Sequence, residues 1–438
     1  MRMLGGLLAC AGSFVLATGI VMAQVPTPVP AYPGNALGPE AVGPEGQTVI
    51  NRPRPDYDPL GVRAGSFLIY PSIGVSETWD SNIFATPSGD KSDLYTTESP
   101  AVAVNSDWNR NALNFNASGQ FKQYVTHTTE NVNNGSVDMN GRYDISNGEY
   151  LIADGGYALL HEDRASPDSP VNAKNPVQYT TTGGYLAYVY ALRRIGFRID
   201  STITSYAYNN QATFSGQLIP ETDRDRIEYV VAPRVSYEFI PGYGAFLRVL
   251  GNVRQYNQQD QFELAALGFS ARRNSHGGEV DAGATIEVTR VITAELYVGY
   301  LEQLYEARYL FPNIGGLAGG GNLLWNITPL TSLKGSASQS VAETDLIGTS
   351  GSRETNFTLT AEHELLRNLL ASASVGYVRD DYVGISRLDN TYGADIGVRY
   401  LMNRNIRLTS DISYSSRSSS VGANYDRVIA SVGARFGF

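Results

Sequence analysis

Residue types that support catalysis or metal binding are few in this sequence, and their spacing is unfavourable. A pair of histidines with His-x3-His spacing, which places two imidazoles on one metal ion, does not occur. The four histidines are His127, His161, His276 and His363. A serine hydrolase would need a Ser/His/Asp set, but no Gly-x-Ser-x-Gly elbow is present. We therefore expect no enzymatic activity and no cofactor.

Two further stretches could hold a ligand but have simpler interpretations. The glycine cluster at residues 315–322 is followed by a strand pattern with Trp325, whereas a phosphate-binding loop would be followed by a helix. Asp80, Asn82 and Asp90 could supply the oxygen ligands that calcium prefers. Solvated loop residues are the simpler interpretation of these three.

One set of charged residues is more informative because its members alternate with apolar neighbours. If each segment is a strand, these charges share the face opposite the apolar one. Such a face suits hydrated, hydroxyl-rich solutes, or its arginines and carboxylates simply neutralise one another across neighbouring strands. The lumen-facing candidates are Arg142, Arg198, Asp200, Arg234, Glu238, Arg248, Arg254, Glu287, Glu295, Glu362, Asp395, Arg399 and Asp411; the same face carries Asp138, Glu228, Glu279, Asp281, Glu364, Arg407, Arg427 and Arg435.

The elements that must position these charges are predicted to be strands. In the last segment Val428, Val432 and Phe436 fall on one parity, and small or polar residues dominate the other. A period of two is the signature of a strand with one apolar face. The alternation recurs in segments of about 10 to 16 residues from residue 66 onwards. No segment has a convincing helical period.

Two kinds of connector alternate along the chain between these segments. Short ones rich in Asn, Gly and Pro, the residues of tight turns, recur every 40 to 50 residues. They lie at residues 109–111, 146–148, 192–194, 240–242, 289–290, 328–329, 367–368 and 403–405. Longer polar loops lie between them, such as residues 81–93, 161–176, 258–274 and 345–353. Eight short turns between nine hairpins predict about 18 strands.

An even number of strands, with short turns at one end and long loops at the other, is typical of an antiparallel transmembrane barrel. Aromatic residues near both sets of connectors fit the two membrane interfaces. A soluble sandwich or propeller would need polar outward faces, which the strand pattern does not provide. Pro71, Pro100 and Pro233 fall inside predicted strands, and we interpret them as bulges.

The N-terminus predicts export. Residues 1–23 combine Arg2, an apolar core and a small-residue motif, which predicts a signal peptide cleaved after Ala23. A lipobox ending at Cys10 is the alternative, but it comes early. Residues 24–62 are rich in proline and are predicted to be an extended periplasmic segment, either a spacer or a docking peptide. The barrel is predicted over residues 63–438.

Composition limits the partners. The net charge of −10 argues against nucleic acid. Cys10 is the only cysteine, so cleavage after Ala23 would leave none for a disulfide. Outer-membrane lipid is the expected surrounding of the apolar faces.

Two stretches resemble known outer-membrane sequences. Ser431, Gly433, Phe436 and Phe438 resemble the C-terminal signal by which outer-membrane proteins are recognised for insertion, which implies the barrel-assembly machinery as a partner. Residues 79–83 and the loop HEDRASPDS, within a pattern over residues 61–438, resemble a family of proteobacterial outer-membrane β-barrel porins. Members often accompany exopolysaccharide or capsule export.

The resemblance implies an outer-membrane channel without catalysis, with export of a polysaccharide as the leading function. Periplasmic export proteins would then be partners of the Pro-rich segment. A general diffusion porin for small hydrophilic solutes is the second function, and a structural or adhesive barrel is the third, because fold alone does not choose among them. The acidic total predicts weak selectivity towards cations.

Overall fold

The computed structural model describes residues 47–288 and 291–438. The predicted signal peptide with its cleavage site after Ala23, most of the Pro-rich segment and the turn at residues 289–290 lie outside the described residues. The predicted export signal and the interpretation of residues 24–46 as a docking peptide therefore stay predictions.

The described residues form a closed antiparallel barrel of 18 long strands, as the sequence predicts. In chain order the strands are β1 (Val62–Ala64), β2 (Phe67–Asp80), β3 (Asp93–Ser106), β4 (Ala112–Tyr124), β5 (Val132–Ser146), β6 (Glu149–His161), β7 (Gln178–Leu192), β8 (Ile195–Tyr208), β9 (Gln211–Ala212), β10 (Leu218–Ile219), β11 (Arg226–Ile240), β12 (Tyr243–Tyr256), β13 (Ser275–Val288), β14 (Ile292–Tyr305), β15 (Ile314–Thr328), β16 (Thr331–Ala342), β17 (Gly351–Leu366), β18 (Leu369–Val383), β19 (Leu388–Leu401), β20 (Ile406–Ser419) and β21 (Tyr425–Gly437). The barrel consists of β2–β8 and β11–β21, and it closes because β21 pairs with both β20 and β2.

The connections have the predicted asymmetry. At one end the chain reverses tightly, as at Asn147-Gly148 and Pro241-Gly242, where both glycines adopt positive φ. At the other end the connections are longer, as at residues 81–92, 162–177 and 257–274. In outer-membrane barrels the short turns are periplasmic and the long loops are extracellular.

The side chains alternate between the two surfaces of the wall, as β18 and β19 illustrate. Val375 and Ile396 are 54% and 65% exposed on the outer surface. Ser374 and Asp395, paired in register, point to the interior and are 8% and 4% exposed. The exposed surface is therefore the apolar one, as lipid contact requires.

The prediction that Pro71, Pro100 and Pro233 form bulges is wrong. Pro100 pairs with Ile73 of β2 without a shift of register, and only the ladder towards β4 is interrupted there. Pro233 likewise pairs with Ile199 while its ladder towards β12 is interrupted. A residue in an antiparallel strand directs its N–H to one neighbour only, so a proline weakens one ladder and needs no inserted residue.

A short helix, α1 (Gln261–Leu267), lies in the β12–β13 loop, where the sequence analysis expected none. The Asp260 carboxylate accepts a hydrogen bond from the Glu263 N–H at 2.9 Å, and Gly268 ends the helix with φ of 75°. These are the capping signals of a helix too short to show an apolar period. Within residues 47–288 and 291–438, no helix has the length and apolar character needed to span a membrane.

Candidate functional site

The interior of the barrel is the candidate site, and ion pairs cover much of its wall. Arg248 of β12 pairs with Asp281 of β13 at 2.6 Å, and both are buried. Arg198 pairs with Asp200 at 2.8 Å two residues along β8. Most such arginines have a carboxylate on the same or a neighbouring strand. Mutual neutralisation, one of the two interpretations of this charged face in the sequence analysis, therefore applies to most of them.

One pair spans a greater distance along the wall. Arg234 of β11 reaches Glu295 of β14 at 2.8 Å, past the two intervening strands, and its guanidinium lies 3.7 Å from the centre of the Phe246 ring. Desolvated stacking of this kind on an aromatic face contributes up to about 2 kcal/mol. The pair brings two of the predicted lumen-facing residues together.

The other lumen-facing candidates lie on the same interior face but do not form one constellation. Three of them are in ion pairs: Arg142 with Asp144 at 2.8 Å, Arg254 with Glu343, and Glu362 with Lys334 at 2.6 Å. Two accept hydrogen bonds: Glu238 from the Gly242 N–H at 2.9 Å, and Asp411 from Ser431. Glu287 lies at the end of β13, Asp395 has one buried oxygen without a described partner, and Arg399 has no described side-chain partner. They are distributed along the height of the barrel, so the lumen wall itself is the candidate site.

The long β6–β7 connection, which we call the crossing loop (residues 162–177), extends over the lumen. Asp168 accepts a hydrogen bond from Thr344 at 2.5 Å, although the β16–β17 loop that carries Thr344 lies on the far side of the barrel. Ala165 and Val177 are fully buried. The loop therefore narrows the extracellular end of the lumen.

Three arginines fix the crossing loop. Arg427 of β21 pairs with Asp163 at 2.9 Å, Arg417 of β20 donates to the Ala165 carbonyl at 2.7 Å, and Arg224 pairs with Glu162 at 2.8 Å. These arginines come from opposite sides of the loop. The loop is held at both flanks by charge-assisted hydrogen bonds, the stronger kind.

Acidic groups that face one another surround this contact. Burial and the negative charge of Asp168 raise the pKa of Asp345 well above its ordinary value. Burial also raises the pKa of Glu221 to about 7, although the neighbouring Arg224 lowers it. The charge of this loop contact therefore depends on protons near neutral pH.

At the other end, residues 47–58 form a second narrowing, which we call the N-terminal strap. The Val49 N–H donates to Ser332 at 3.0 Å, and the Ile50 N–H donates to Glu362 at 3.0 Å. Arg52 and Arg54 both pair with Glu364 of β17. The strap is thus bound to interior residues of β16 and β17.

The strap continues along the inner wall of the periplasmic mouth, past β18 and β19. Val49 packs in a buried cluster with Leu370 and Leu401, and the Pro55 carbonyl accepts from Arg404 at 3.1 Å. Residues 47–58 therefore differ from the extended spacer that proline content predicted. The missed signal is the concentration of charge in Arg52, Arg54, Asp56 and Asp58, which gives this part of the segment partners on the barrel.

The residues considered for calcium do not form a cation site in the described chain. Asp80 pairs with Arg427 at 2.6 Å and accepts from the Asn82 N–H at 3.0 Å. Among the described residues no group of three or more His, Cys, Asp or Glu side chains could hold a metal. His363 lies on the outer surface, hydrogen-bonded to Thr331 at 2.9 Å.

The residues that resemble an insertion signal lie on the closing strand. Phe436 and Phe438 are exposed on the lipid side, and Ser431 faces the interior, where it donates to Asp411. Gly433 sits where a Cβ would lie 3.0 Å from the Ser76 side chain. The Phe438 N–H donates to the Pro71 carbonyl at 3.2 Å, at the junction of the first and last barrel strands.

The closed barrel and its asymmetric connections are those of an outer-membrane barrel protein, and a comparison with protein families identifies the family. The profile of the family described as "Putative beta-barrel porin 2" matches residues 54–438. The chain belongs to this porin family. Porins are outer-membrane proteins, so the predicted location is confirmed. No curated protein matches the sequence of this porin-family chain.

Solved structures of outer-membrane proteins are similar in fold to this porin. OpdK of Pseudomonas aeruginosa has 10% identity and a TM-score of 0.45, with 84% of this chain and 99% of that chain covered. OccAB4 of Acinetobacter baumannii has 11% identity and a TM-score of 0.43, with 84% and 98% covered. A BenF-like porin of Pseudomonas fluorescens has 8% identity and a TM-score of 0.44, with 84% and 99% covered.

Proposed function

We propose that the protein is a diffusion channel for small hydrophilic solutes across the outer membrane. Membership of a porin family and an interior wall of charged and hydroxyl side chains support this proposal. A barrel of about 18 strands is wide enough to leave an aqueous lumen between its side chains.

The observation that carries the proposal is that segments of the chain narrow both ends of the lumen. The crossing loop reaches Thr344 across the extracellular end, and the N-terminal strap lies along the inner wall of the periplasmic end between Ser332 and Arg404. A polysaccharide chain would have to displace the crossing loop and pass the strap, whereas small solutes would need only the space beside them. This geometry favours the diffusion channel over the polysaccharide export that the resemblance implied. No observation on the described residues supports polysaccharide export.

Liposome swelling tests the proposal. Purified protein in liposomes should admit arabinose faster than sucrose, and sucrose faster than raffinose, because a narrowed aqueous lumen slows larger solutes. Planar bilayers should show stepwise increases in conductance in potassium chloride. Absence of both swelling and conductance would contradict the channel and favour a closed structural barrel. A deletion strain that keeps its polymer inside the cell would instead favour polysaccharide export.

A further inference from the structure

A cluster of arginines on the interior wall has no counterion. Arg407 of β20 and Arg435 of β21 stand directly opposite each other in register. Arg399 of β19 shares the same face, because its register partner on β20 is Thr409, two residues from Arg407. All three are half-buried. No hydrogen bond or ion pair of their guanidinium groups occurs within the part of the chain that the structure describes.

This arrangement is costly unless something occupies it. Like charges directly opposite each other in an antiparallel pair destabilise the sheet. Elsewhere on the wall, interior arginines form ion pairs with carboxylates. These arginines are Arg142, Arg198, Arg234, Arg248, Arg254 and Arg427. The arginine cluster (Arg399, Arg407 and Arg435) departs from that pattern.

The nearest carboxylates are already engaged. Glu362 and Asp411 lie close enough to Arg399 to attract it. However, Glu362 pairs with Lys334 at 2.6 Å and accepts the Ile50 N–H, and Asp411 accepts from Ser431. Asp58 of the strap attracts Arg407 but accepts a hydrogen bond from the Arg54 N–H. The neutral donors to Asp411 and Asp58 leave both carboxylates charged, so the three arginines face two carboxylates that have no cationic partner of their own, and positive charge remains in excess at this height of the lumen.

We propose that Arg399, Arg407 and Arg435 form a subsite that binds the oxyanion group, such as a carboxylate, sulfate or phosphate, of a small solute in the lumen. The planar guanidinium matches the two-oxygen geometry of these groups, and charge-assisted hydrogen bonds of this kind are the strong ones. The inference rests on the proposed channel and names its solute class. It also reverses the weak cation selectivity expected from the acidic total.

The position of the subsite suits a step in passage. All three arginines lie within a few residues of the periplasmic ends of their strands, beside the strap that lines that mouth. A solute that enters from outside would meet them just before the strap. Local positive potential in a narrowed aqueous passage with low-dielectric walls raises the local concentration of anions and selects for them.

Binding of radiolabelled sulfate to the purified barrel in detergent tests the subsite without requiring conduction. The double variant Arg407→Gln and Arg435→Gln should bind sulfate roughly tenfold or more weakly, because each hydrogen bond to a charged group contributes substantially. The matched control is Arg63→Gln with Arg110→Gln. It removes the same charge from exposed residues near the same end of the barrel and should bind as the wild type does.

Reversal potentials in a potassium chloride gradient give the second readout. The wild type should favour chloride, and the double variant should shift towards potassium, while the control should not shift. The heat-modifiable mobility of the barrel on a gel confirms that each variant is folded, and Arg399→Gln alone is used if the double variant does not insert.

The outcomes separate the two proposals. Equal sulfate binding by the wild type and the folded double variant would overturn the subsite, even in a conducting channel. Sulfate binding that is lost in the double variant, in a protein that does not conduct, would keep the subsite and overturn the channel.

Discussion

Arg54 and Glu364 lie 2.9 Å apart in a buried ion pair, although 310 residues separate them in the chain. The pair joins the N-terminal strap to β17, and Arg52 adds a second contact to the same carboxylate. Glu364 is the point at which the strap is most firmly attached to the wall.

Glu364→Gln should release the strap and increase single-channel conductance. The change removes a carboxylate from two arginines, and hydrogen bonds to charged groups contribute about 1.5–3 kcal/mol each. A loss of that size shifts the equilibrium between docked and released strap by roughly tenfold or more.

The rate of thiol labelling measures the release of the strap from the wall directly. Val49→Cys would carry the only thiol once the predicted signal peptide and Cys10 are removed, and Val49 is buried. Its labelling should accelerate in the Glu364→Gln background. Arg63→Gln, which breaks an exposed ion pair with Asp107, is the control and should change neither readout. Unchanged conductance and labelling in Glu364→Gln would show that the strap does not limit passage.

Arg417→Gln should loosen the crossing loop and admit larger sugars in liposome swelling. The arginine donates to the Ala165 carbonyl of the loop at 2.7 Å and to the Ala423 carbonyl at 2.8 Å. Arg110→Gln removes the same charge from an exposed residue at the opposite end of the barrel and should leave the size limit unchanged. An unaltered raffinose rate in Arg417→Gln would argue that the loop is not the extracellular constriction.

Conductance should rise with pH between about 6 and 8, because Glu221 has its pKa raised to about 7 by burial. The pKa of Asp345 is raised well above its ordinary value by burial and by Asp168. A carboxyl with a raised pKa contributes stability while it is protonated, and that stability is lost as pH rises through the raised pKa. The loop contact is therefore tight at low pH and loosens as the acids ionise.

Asp345→Asn should weaken this pH dependence, since an amide cannot ionise beside Asp168, Glu221 and Arg224. Asp90→Asn, a change in an exposed extracellular loop, should keep the wild-type profile. The measurement is single-channel conductance across the pH range in both variants. A flat profile in the wild type would show that the loop contact does not respond to these acids.

Phe436→Asp, or deletion of Phe438, should leave the protein unassembled in the periplasm, if these residues are read by the barrel-assembly machinery. A charge on the lipid face near an interface costs only about 0–1 kcal/mol, so loss of stability alone would not prevent insertion. Phe239→Asp places the same charge on another exposed phenylalanine near the turn end and should insert. Cell fractionation decides the matter, and equal insertion of Phe436→Asp and Phe239→Asp would contradict the signal.

The fold was largely predictable because its information is local. Alternation such as Val375 against Ser374 places each side chain on one face by the geometry of the strand itself. Turn residues such as Asn147 and Gly148 mark where strands end. Together they predict the closed barrel and its number of strands without knowledge of any long-range contact.

The contents of the lumen were not predictable in the same way. The alternation along each strand places Arg234 and Arg407 on the interior face. It does not predict that Arg234 pairs with Glu295, or that Arg407 lies opposite Arg435. The strap and the crossing loop depend on contacts such as Arg54 with Glu364 and Asp168 with Thr344, which no local period encodes. Proline content even favoured the wrong conformation for residues 47–58.

The short strand β1 shares an edge of β2 with the closing strand β21. β1 pairs with β2 at residues 67–69, and β21 pairs with β2 at residues 72–80, while β3 occupies the whole of the other edge. If β21 moved along this edge towards the periplasmic end of the barrel, it would collide with β1. A slip of one residue would turn lumen side chains to the lipid and lipid side chains to the lumen. By occupying residues 67–69 of this edge, β1 blocks that slip in one direction at the seam where the barrel closes.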